Sequence, residues 1–399
     1  MPSSDTARRS LIRSLAPLGV VVALVGLVTS FVAPFLPLFV TRDLRAGPGL
    51  TSLFLFVMPL AAVGVVAVVG RLSDRPAMRH PLLITASAAG AAGFLLFGLQ
   101  RNYWASLALA STLLAVAASL MPQTFAFSRI LLDQAHPSRA ATGISSLRSL
   151  LSLAWVAGPP LAAYIIGAVD FRGLFIVAAA MHVIVLLVLL RLRTTAGASE
   201  DRASGRDPAA TVGSVTATAG QLLRTGAAFV LLQCAGTLGV MSMPLFVSVD
   251  LKSDVRHAGL ILGLCAGLEI PLMLLFGALA SRRTLRQLLL IGATIGVAYF
   301  VAMTFTEAVW QVAAAQILNA CFIAAVTGLG ISYFQDLMPT RLGRATATFT
   351  NTYRISAMLA GLAFGPVQIA GYRSAYLIGT GLCALGLTLL ALTRPKVPQ

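Results

Sequence analysis

From Pro17 to Leu392 the chain is a succession of apolar stretches, each about twenty residues long, separated by short polar breaks. A helix needs that length to cross about 30 Å of hydrocarbon at 1.5 Å per residue. Hydrophobic residues make up 58% of the sequence and charged residues 11%, against about 25% charged in a soluble domain. Too little polar surface is left for water to be the main solvent. The alternating segments of about ten residues that mark an outer-membrane barrel do not occur. The sequence therefore predicts an all-α membrane protein with twelve transmembrane helices. The spans fall at 17–40, 50–70, 81–100, 104–132, 140–168 and 172–192, then at 222–249, 258–280, 286–305, 308–337, 343–370 and 373–392. Arg8, Arg9 and Arg13 precede an apolar stretch that runs to Val40. That is too long for a signal-peptide core, so it is read as the first span.

The chain also repeats itself. Residues 37–44 read Pro-Leu-Phe-Val-Thr-Arg-Asp-Leu and residues 244–251 read Pro-Leu-Phe-Val-Ser-Val-Asp-Leu, identical at six of eight positions with an offset of 207. The same offset carries Gly70-Arg71-Leu72-Ser73-Asp74-Arg75 onto Gly277-Ala278-Leu279-Ala280-Ser281-Arg282, and Gly158-Pro159 onto Gly365-Pro366. The expected organisation is two pseudo-symmetric six-helix bundles, 1–192 and 220–399, joined by a flexible cytoplasmic linker at 193–219. That linker has no apolar period and carries Glu200, Asp201, Arg202, Arg206 and Asp207. Duplicated membrane bundles enclose a cleft where transporters hold their substrate.

The net charge of +16 is spread over short loops rather than gathered into a stripe, which argues against nucleic acid as a partner. With the spans above, and with residues at or within two positions of a span's end counted with the adjoining loop, Lys and Arg number 19 on one side, 7 on the other and 3 within helices. The positive-inside bias puts both termini in the cytoplasm. Cys234, Cys265, Cys321 and Cys383 lie in apolar stretches without CxxC spacing and read as packing residues. The four His residues are isolated. No metal site, nucleotide loop or nucleophile elbow is visible, so neither an enzyme nor a cofactor is expected.

Polar residues inside the spans are the candidates for function. Glu269 lies about 11 residues from either end of span 8, roughly 16 Å deep. An ionised acid at such a depth costs about 3 kcal/mol on insertion scales, and it persists where it meets a wet cavity or a partner. Arg148 in span 5 and Arg354 in span 11 are embedded cations at matching places in the two copies. Either can snorkel, face the cavity or pair with Glu269. Gln123, Gln233, Asn319, Tyr333 and Asn351 offer hydrogen bonds to a hydroxylated ligand, and Trp155 offers a ring on which the apolar face of a sugar stacks.

The stretch Gly70-Arg71-Leu72-Ser73-Asp74-Arg75 resembles the G-x-L-x-D-R loop of the major facilitator superfamily. That resemblance implies a gating latch in which Asp74, beside Arg75, docks near a helix N-terminus, where the dipole favours an anion. Arg129 and Asp133, one turn apart at the inner end of span 4, are candidates to join it. Ser281 stands where the second copy would need its own acid, so the latch would be one-sided.

A narrower resemblance rests on Met121-Pro122-Gln123, on Leu151-Ser152-Leu153-Ala154-Trp155 with Gly158-Pro159-Pro160, on Ala266-Gly267-Leu268-Glu269-Ile270-Pro271, on Phe334-Gln335-Asp336-Leu337-Met338-Pro339 and on Thr350-Asn351. These are similar to motifs of the bacterial sugar efflux transporters. The resemblance implies a monomer of the inner membrane that exports mono- or disaccharides and glycosides by alternating access, driven by a proton gradient. Gln123, Arg148, Trp155, Glu269, Asn319 and Asn351 fall on family-like positions, with Glu269 as the proton carrier or as a direct acceptor for the sugar hydroxyls. The chain departs from the pattern at Val32, Ile130, Gln233 and Gly236, where relatives carry other polar or aromatic groups. An alternative is efflux of amphipathic drugs. Gly158-Pro159 resembles the antiporter signature of drug exporters, although Ala162 and Ala163 stand where paired glycines are expected.

Overall fold

Prolines and back-bonding hydroxyls decide where the helices of this chain bend and stop. The computed structural model describes residues 4–135, 140–192 and 217–393, and no strand occurs among them. The first span is α1 (Ser4–Val32) followed by α2 (Leu36–Arg42), bent by 42°. Pro34 at the bend has no N–H for the preceding turn, and Pro37 sits in the first turn of α2, where none is needed. Next come α3 (Pro48–Ser73) and α4 (Pro76–Leu99). The fourth span is broken into α5 (Tyr103–Ser111), α6 (Leu113–Ala117) and α7 (Leu120–Ala135). At its breaks Thr112 Oγ1 donates to the Ala108 carbonyl and Ser119 Oγ to that of Val116, each at 2.7 Å, a bond that bends helices.

One continuous stretch, α8 (Ala140–Arg191), contains the fifth and sixth spans, divided at Asp170. After it come α9 (Ala219–Leu245), a π-helical turn (Phe246–Asp250), α10 (Val255–Leu279), α11 (Leu285–Thr304), α12 (Val309–Leu337), α13 (Leu342–Ala370) and α14 (Ser374–Leu392). Nine of the described helices are long and apolar enough to cross a membrane, ten if the bent first pair is one span. The twelve-span fold is completed by α8, which holds two spans, and by α13, whose first half is rich in Thr and Arg. The expected linker lies, up to residue 216, outside the described residues. At its far end Thr218 and Gln221 form a reciprocal capping box that starts α9, and Thr284 with Gln287 does the same for α11.

The repeat is written in the backbone as well as in the side chains. Leu44 N–H reaches past the usual carbonyl to that of Phe39 (3.1 Å), and Leu251 N–H does the same to Phe246 (3.0 Å). Ala46 then bonds Val40 (3.1 Å), as Ser253 bonds Val247 (3.0 Å). The residue that turns the chain is left-handed in both copies, Arg45 at φ 48° and Lys252 at φ 51°. Each copy thus ends its first helix with the same terminator.

The turns before the last span of each copy are also related, but here the residues differ. Gly371 adopts φ 91°, ψ 148°, a conformation open to glycine. Asp170 is held at φ 66°, ψ −171°, a region that costs other residues about 1–3 kcal/mol. Its carboxylate accepts the Arg172 N–H at 2.6 Å, and losing that cap to glycine costs only a few tenths of a kcal/mol. Asp170→Gly is therefore expected to stabilise the protein by about 1 kcal/mol, read as a higher unfolding temperature in detergent.

Packing divides the chain into two compact units. The first comprises residues up to Ala33 and those from Val57 to the linker; the second comprises Pro34–Phe56 and the residues beyond the linker. In the first unit, Ser30 Oγ of α1 donates to the Ala154 carbonyl of α8 (2.9 Å), and Ser87 of α4 donates to the His182 carbonyl (2.9 Å). The buried His182 ring also lies 5.3 Å from that of Phe94. In the second unit, Phe229, Phe334 and Phe349 meet edge to face, with centroids 5.1–5.8 Å apart, and Ser356 of α13 donates to the Val230 carbonyl of α9. Arg286 of α11 donates to the carbonyls of Ala391 (2.7 Å) and Thr393 (3.2 Å). It thereby caps α14 with a cation where the helix dipole favours one.

The segment 48–56 is held on α13 by a proline. Pro366 has no N–H, so the Leu362 carbonyl one turn back loses its helical donor. Ser52 Oγ donates to that carbonyl at 2.9 Å and accepts the Gly365 N–H at 2.8 Å. Gln368 Nε2 donates to the Ala46 carbonyl at 3.1 Å. The approach is close because Gly361 and Gly365 face it. A Cβ on Gly361 would stand 2.5 Å from the Leu55 carbonyl oxygen, and one on Gly365 would stand 2.7 Å from that of Pro48. Small residues spaced four apart allow helices in lipid to touch in this way.

Candidate functional site

In the second unit, α10 carries Glu269 at mid-span, one turn after Cys265 and two residues before Pro271. The carboxyl is partly exposed. Its hydrogen-bond partner is the Cys265 thiol, which donates to Oε1 across 3.7 Å. The bond to Cys265 takes the place of the ion pair with Arg354 that the sequence left open. Arg354 itself is half-buried on α13.

Asn319 belongs to the same cluster. Its amide Nδ2 donates to Cys265 Sγ at 3.4 Å and to Gln316 Oε1 at 2.9 Å. Asn319 is 5% exposed, and with both amide hydrogens engaged inside the unit, only its carbonyl oxygen is left for anything else. Cys265 is correspondingly more than the packing residue its apolar neighbours imply. It sits between an amide donor and a carboxylate acceptor. The spacings Cys265–Glu269 and Gln316–Asn319, four and three residues apart, put each pair on one helix face, and that signal was present in the sequence.

Gln233 on α9 is 7% exposed. Its Oε1 accepts from Thr352 Oγ1 at 3.1 Å, and among the described residues its buried Nε2 has no partner. The Tyr333 hydroxyl is in the same state, with its ring stacked 6.4 Å from that of Phe229. A buried donor without an acceptor costs about 1–3 kcal/mol, so both groups are suited to meet a ligand oxygen or a water. Asn351 is exposed, while its neighbour Thr352 is buried and makes the contact to Gln233. The structure thus joins Glu269 to Asn319, and Gln233 to the residue beside Asn351, as two clusters with no hydrogen bond joining them among the described residues.

In the first unit, Gln123 is buried on α7, Trp155 is half-buried on α8 and Arg148 is exposed one to two turns earlier. These three are not hydrogen-bonded to one another among the described residues. Asp74 and Arg75 are exposed in the turn after α3. That turn is held by Ser73 Oγ on the Gly70 carbonyl (2.7 Å) and by Arg79 Nε on the Ser73 carbonyl (3.1 Å). Arg129 forms its ion pair with Asp133 on its own helix, at 2.8 Å, and not with Asp74. With both side chains about half exposed, that pair contributes little to stability.

A family model described as the Major Facilitator Superfamily matches residues 18–361 and 241–399. A putative sugar efflux transporter of Deinococcus radiodurans is 34% identical over 94% of this chain and 97% of its own length. Sugar efflux transporter A of Escherichia coli K12 is 32% identical over 92% of this chain and 93% of its own. Among solved structures, that of the nucleoside transporter NupG matches with a TM-score of 0.80, covering 95% of this chain and 98% of that one at 14% identity. At that identity the likeness speaks for the fold alone. The relatives are transporters, not enzymes.

Proposed function

Because the chain belongs to the Major Facilitator Superfamily, and matches sugar efflux transporters along nearly its whole length, we propose that this multi-pass membrane protein exports sugars or small glycosides in exchange for protons. The observation that carries the proton part is Glu269: a carboxyl at mid-span, partly exposed, with a thiol and not a cation as its partner. A neutral partner leaves the carboxyl free to change charge. An acid tied to arginine would stay ionised throughout a cycle. In this reading Glu269 takes a proton from the outer side and releases it to the cytoplasm, and sugar moves the opposite way by alternating access. The unpartnered Gln233 Nε2 and the Tyr333 hydroxyl supply hydrogen bonds to sugar oxygens. Binding free energy comes from relieving donors that are unmet in the empty protein. The protein works as a monomer in the bacterial inner membrane, and the proton gradient is its only driving force.

The Lys and Arg asymmetry supports cytoplasmic termini.

The test is transport by the purified protein in liposomes. A panel of mono- and disaccharides is expected to show counterflow, and an imposed proton gradient is expected to drive sugar uphill. Export of amphipathic drugs remains the second reading, favoured by the scarcity of polar groups on α9 around Gln233. Binding of hydrophobic cations, with no sugar in the panel exchanged, would establish that reading in place of the first.

A further inference from the structure

Behind Glu269 the second unit buries a line of polar side chains that neither the sequence motifs nor the transport reading explains. Gln316, fully buried on α12, donates through Nε2 to the Val312 carbonyl at 3.1 Å. That bond fixes which end of the amide faces Asn319: Gln316 Oε1 must point to it, and it accepts Asn319 Nδ2 at 2.9 Å. Turning the Asn319 amide over would bring two carbonyl oxygens together, so its nitrogen is held facing both Gln316 and Cys265. The Cys265 sulfur accepts that N–H at 3.4 Å, and its own hydrogen is left to point at Glu269 Oε1, 3.7 Å away. At the inner end of the line, beside Gln316, lies the buried Tyr299 on α11. Orientation therefore passes in one direction, from a main-chain carbonyl of α12 to the carboxyl on α10.

We propose that Gln316, Asn319 and Cys265 are positioning residues for the Glu269 carboxyl. They hold Oε1 toward the interior of the unit and leave Oε2 free to meet the proton or the substrate. The inference deepens the transport reading and rests on it, because it assigns Glu269 the exchange role. The geometry also reassigns Asn319, from a group that grips substrate to one that aims the carboxyl that exchanges the proton. Among the described residues of this unit, the titratable groups beside the carboxyl are Cys265 on its own helix and, behind Asn319 and Gln316, Tyr299 on α11. Asp250, Arg354 and Asp336, on the neighbouring elements, are not bonded to it among the described residues.

Cys265→Ala, Cys265→Ser and Gln316→Leu test the assignment in the full-length protein, by transport and by the infrared S–H stretch of the Cys265 thiol. Cys265→Ala is expected to slow proton-driven sugar transport on the order of fivefold, with sugar counterflow retained, and Cys265→Ser is expected to restore it to within about twofold, because the hydroxyl replaces the lost donor. The S–H band, identified by its loss in Cys265→Ala, is expected at the frequency of a hydrogen-bonded thiol and should move toward that of a free thiol in Gln316→Leu. Equal rates for the Ala and Ser variants, or a band unmoved by Gln316→Leu, would reduce the line to packing and overturn the proposal. The transport reading fails separately, through the Glu269→Gln result discussed below. The band can be read in the parent and in Gln316→Leu whether or not the protein moves protons, and the unfolding temperature in detergent reports whether each variant keeps its fold.

Discussion

Glu269→Gln is expected to abolish proton-driven accumulation of sugar while leaving counterflow within a few-fold of the unsubstituted protein. Glutamine has nearly the same shape and keeps an oxygen to accept the Cys265 thiol 3.7 Å away, so the helix and its neighbours need not move. What it loses is the capacity to take up and release a proton. Counterflow needs only binding and reorientation, whereas accumulation needs the charge to change between the two sides. The residual rate of the variant should also be flat with pH over the range in which the parent responds. The carboxyl lies on α10 about 21 Å from one end of the helix and about 15 Å from the other, too deep for a loop residue to substitute for it. A variant that still accumulates sugar against an imposed proton gradient would place the coupling elsewhere.

Gly361→Val is expected to cost about 3 kcal/mol or more, lowering the unfolding temperature in detergent by several degrees. A Cβ at this position would stand 2.5 Å from the Leu55 oxygen, 2.6 Å from its carbon and 3.0 Å from the Phe56 nitrogen. All three are main-chain atoms, and no rotamer moves them aside. The segment 48–56 would have to lift from α13, taking with it both Ser52 bonds at 2.8 and 2.9 Å. The Leu362 carbonyl would then face hydrocarbon with neither a helical donor nor a hydroxyl. Ser52→Ala separates the two contributions, since it removes the hydroxyl without the clash and should cost about 1–2 kcal/mol. Gly64→Ala is the control: nothing lies within 4 Å of a Cβ there, and the change should be neutral or slightly stabilising. A Gly361→Val protein as stable as the Gly64→Ala one would mean that the close approach does not hold the second unit together.

The helices were legible because lipid imposes a length and a polarity on every span, and the repeat was legible wherever a residue type was needed to stop a helix. The terminators at Arg45 and Lys252 follow from the two Pro-Leu-Phe-Val segments. The break at Asp170 was placed correctly, between spans 5 and 6, but its left-handed backbone was not foreseeable, because an aspartate there has no sequence signal comparable to Gly371. Glu269 could be found from its charge alone. Its partner Cys265 stands one turn away on the same helix, yet a cysteine reads as apolar until the amide that meets it from another helix is known. Gln233 and Tyr333 were visible as polar residues, while the absence of partners for their buried donors among the described residues is a property of packing. The grouping of 34–56 with the second unit was equally hidden. It depends on Ser52, a residue type common at any helix start, meeting a carbonyl that a proline more than three hundred positions away has released.

That serine has a consequence for how the chain can be divided. A cut in the linker follows the boundary of the duplication, yet the polypeptide that begins after it would lack Pro34–Phe56, which packs as part of its own unit. Expressed alone, it would carry a bare carbonyl at Leu362 and an uncovered pair of glycines at 361 and 365. Each inherited copy is therefore not a self-sufficient folding piece, and the ancestral repeat and the modern cooperative block end at different residues.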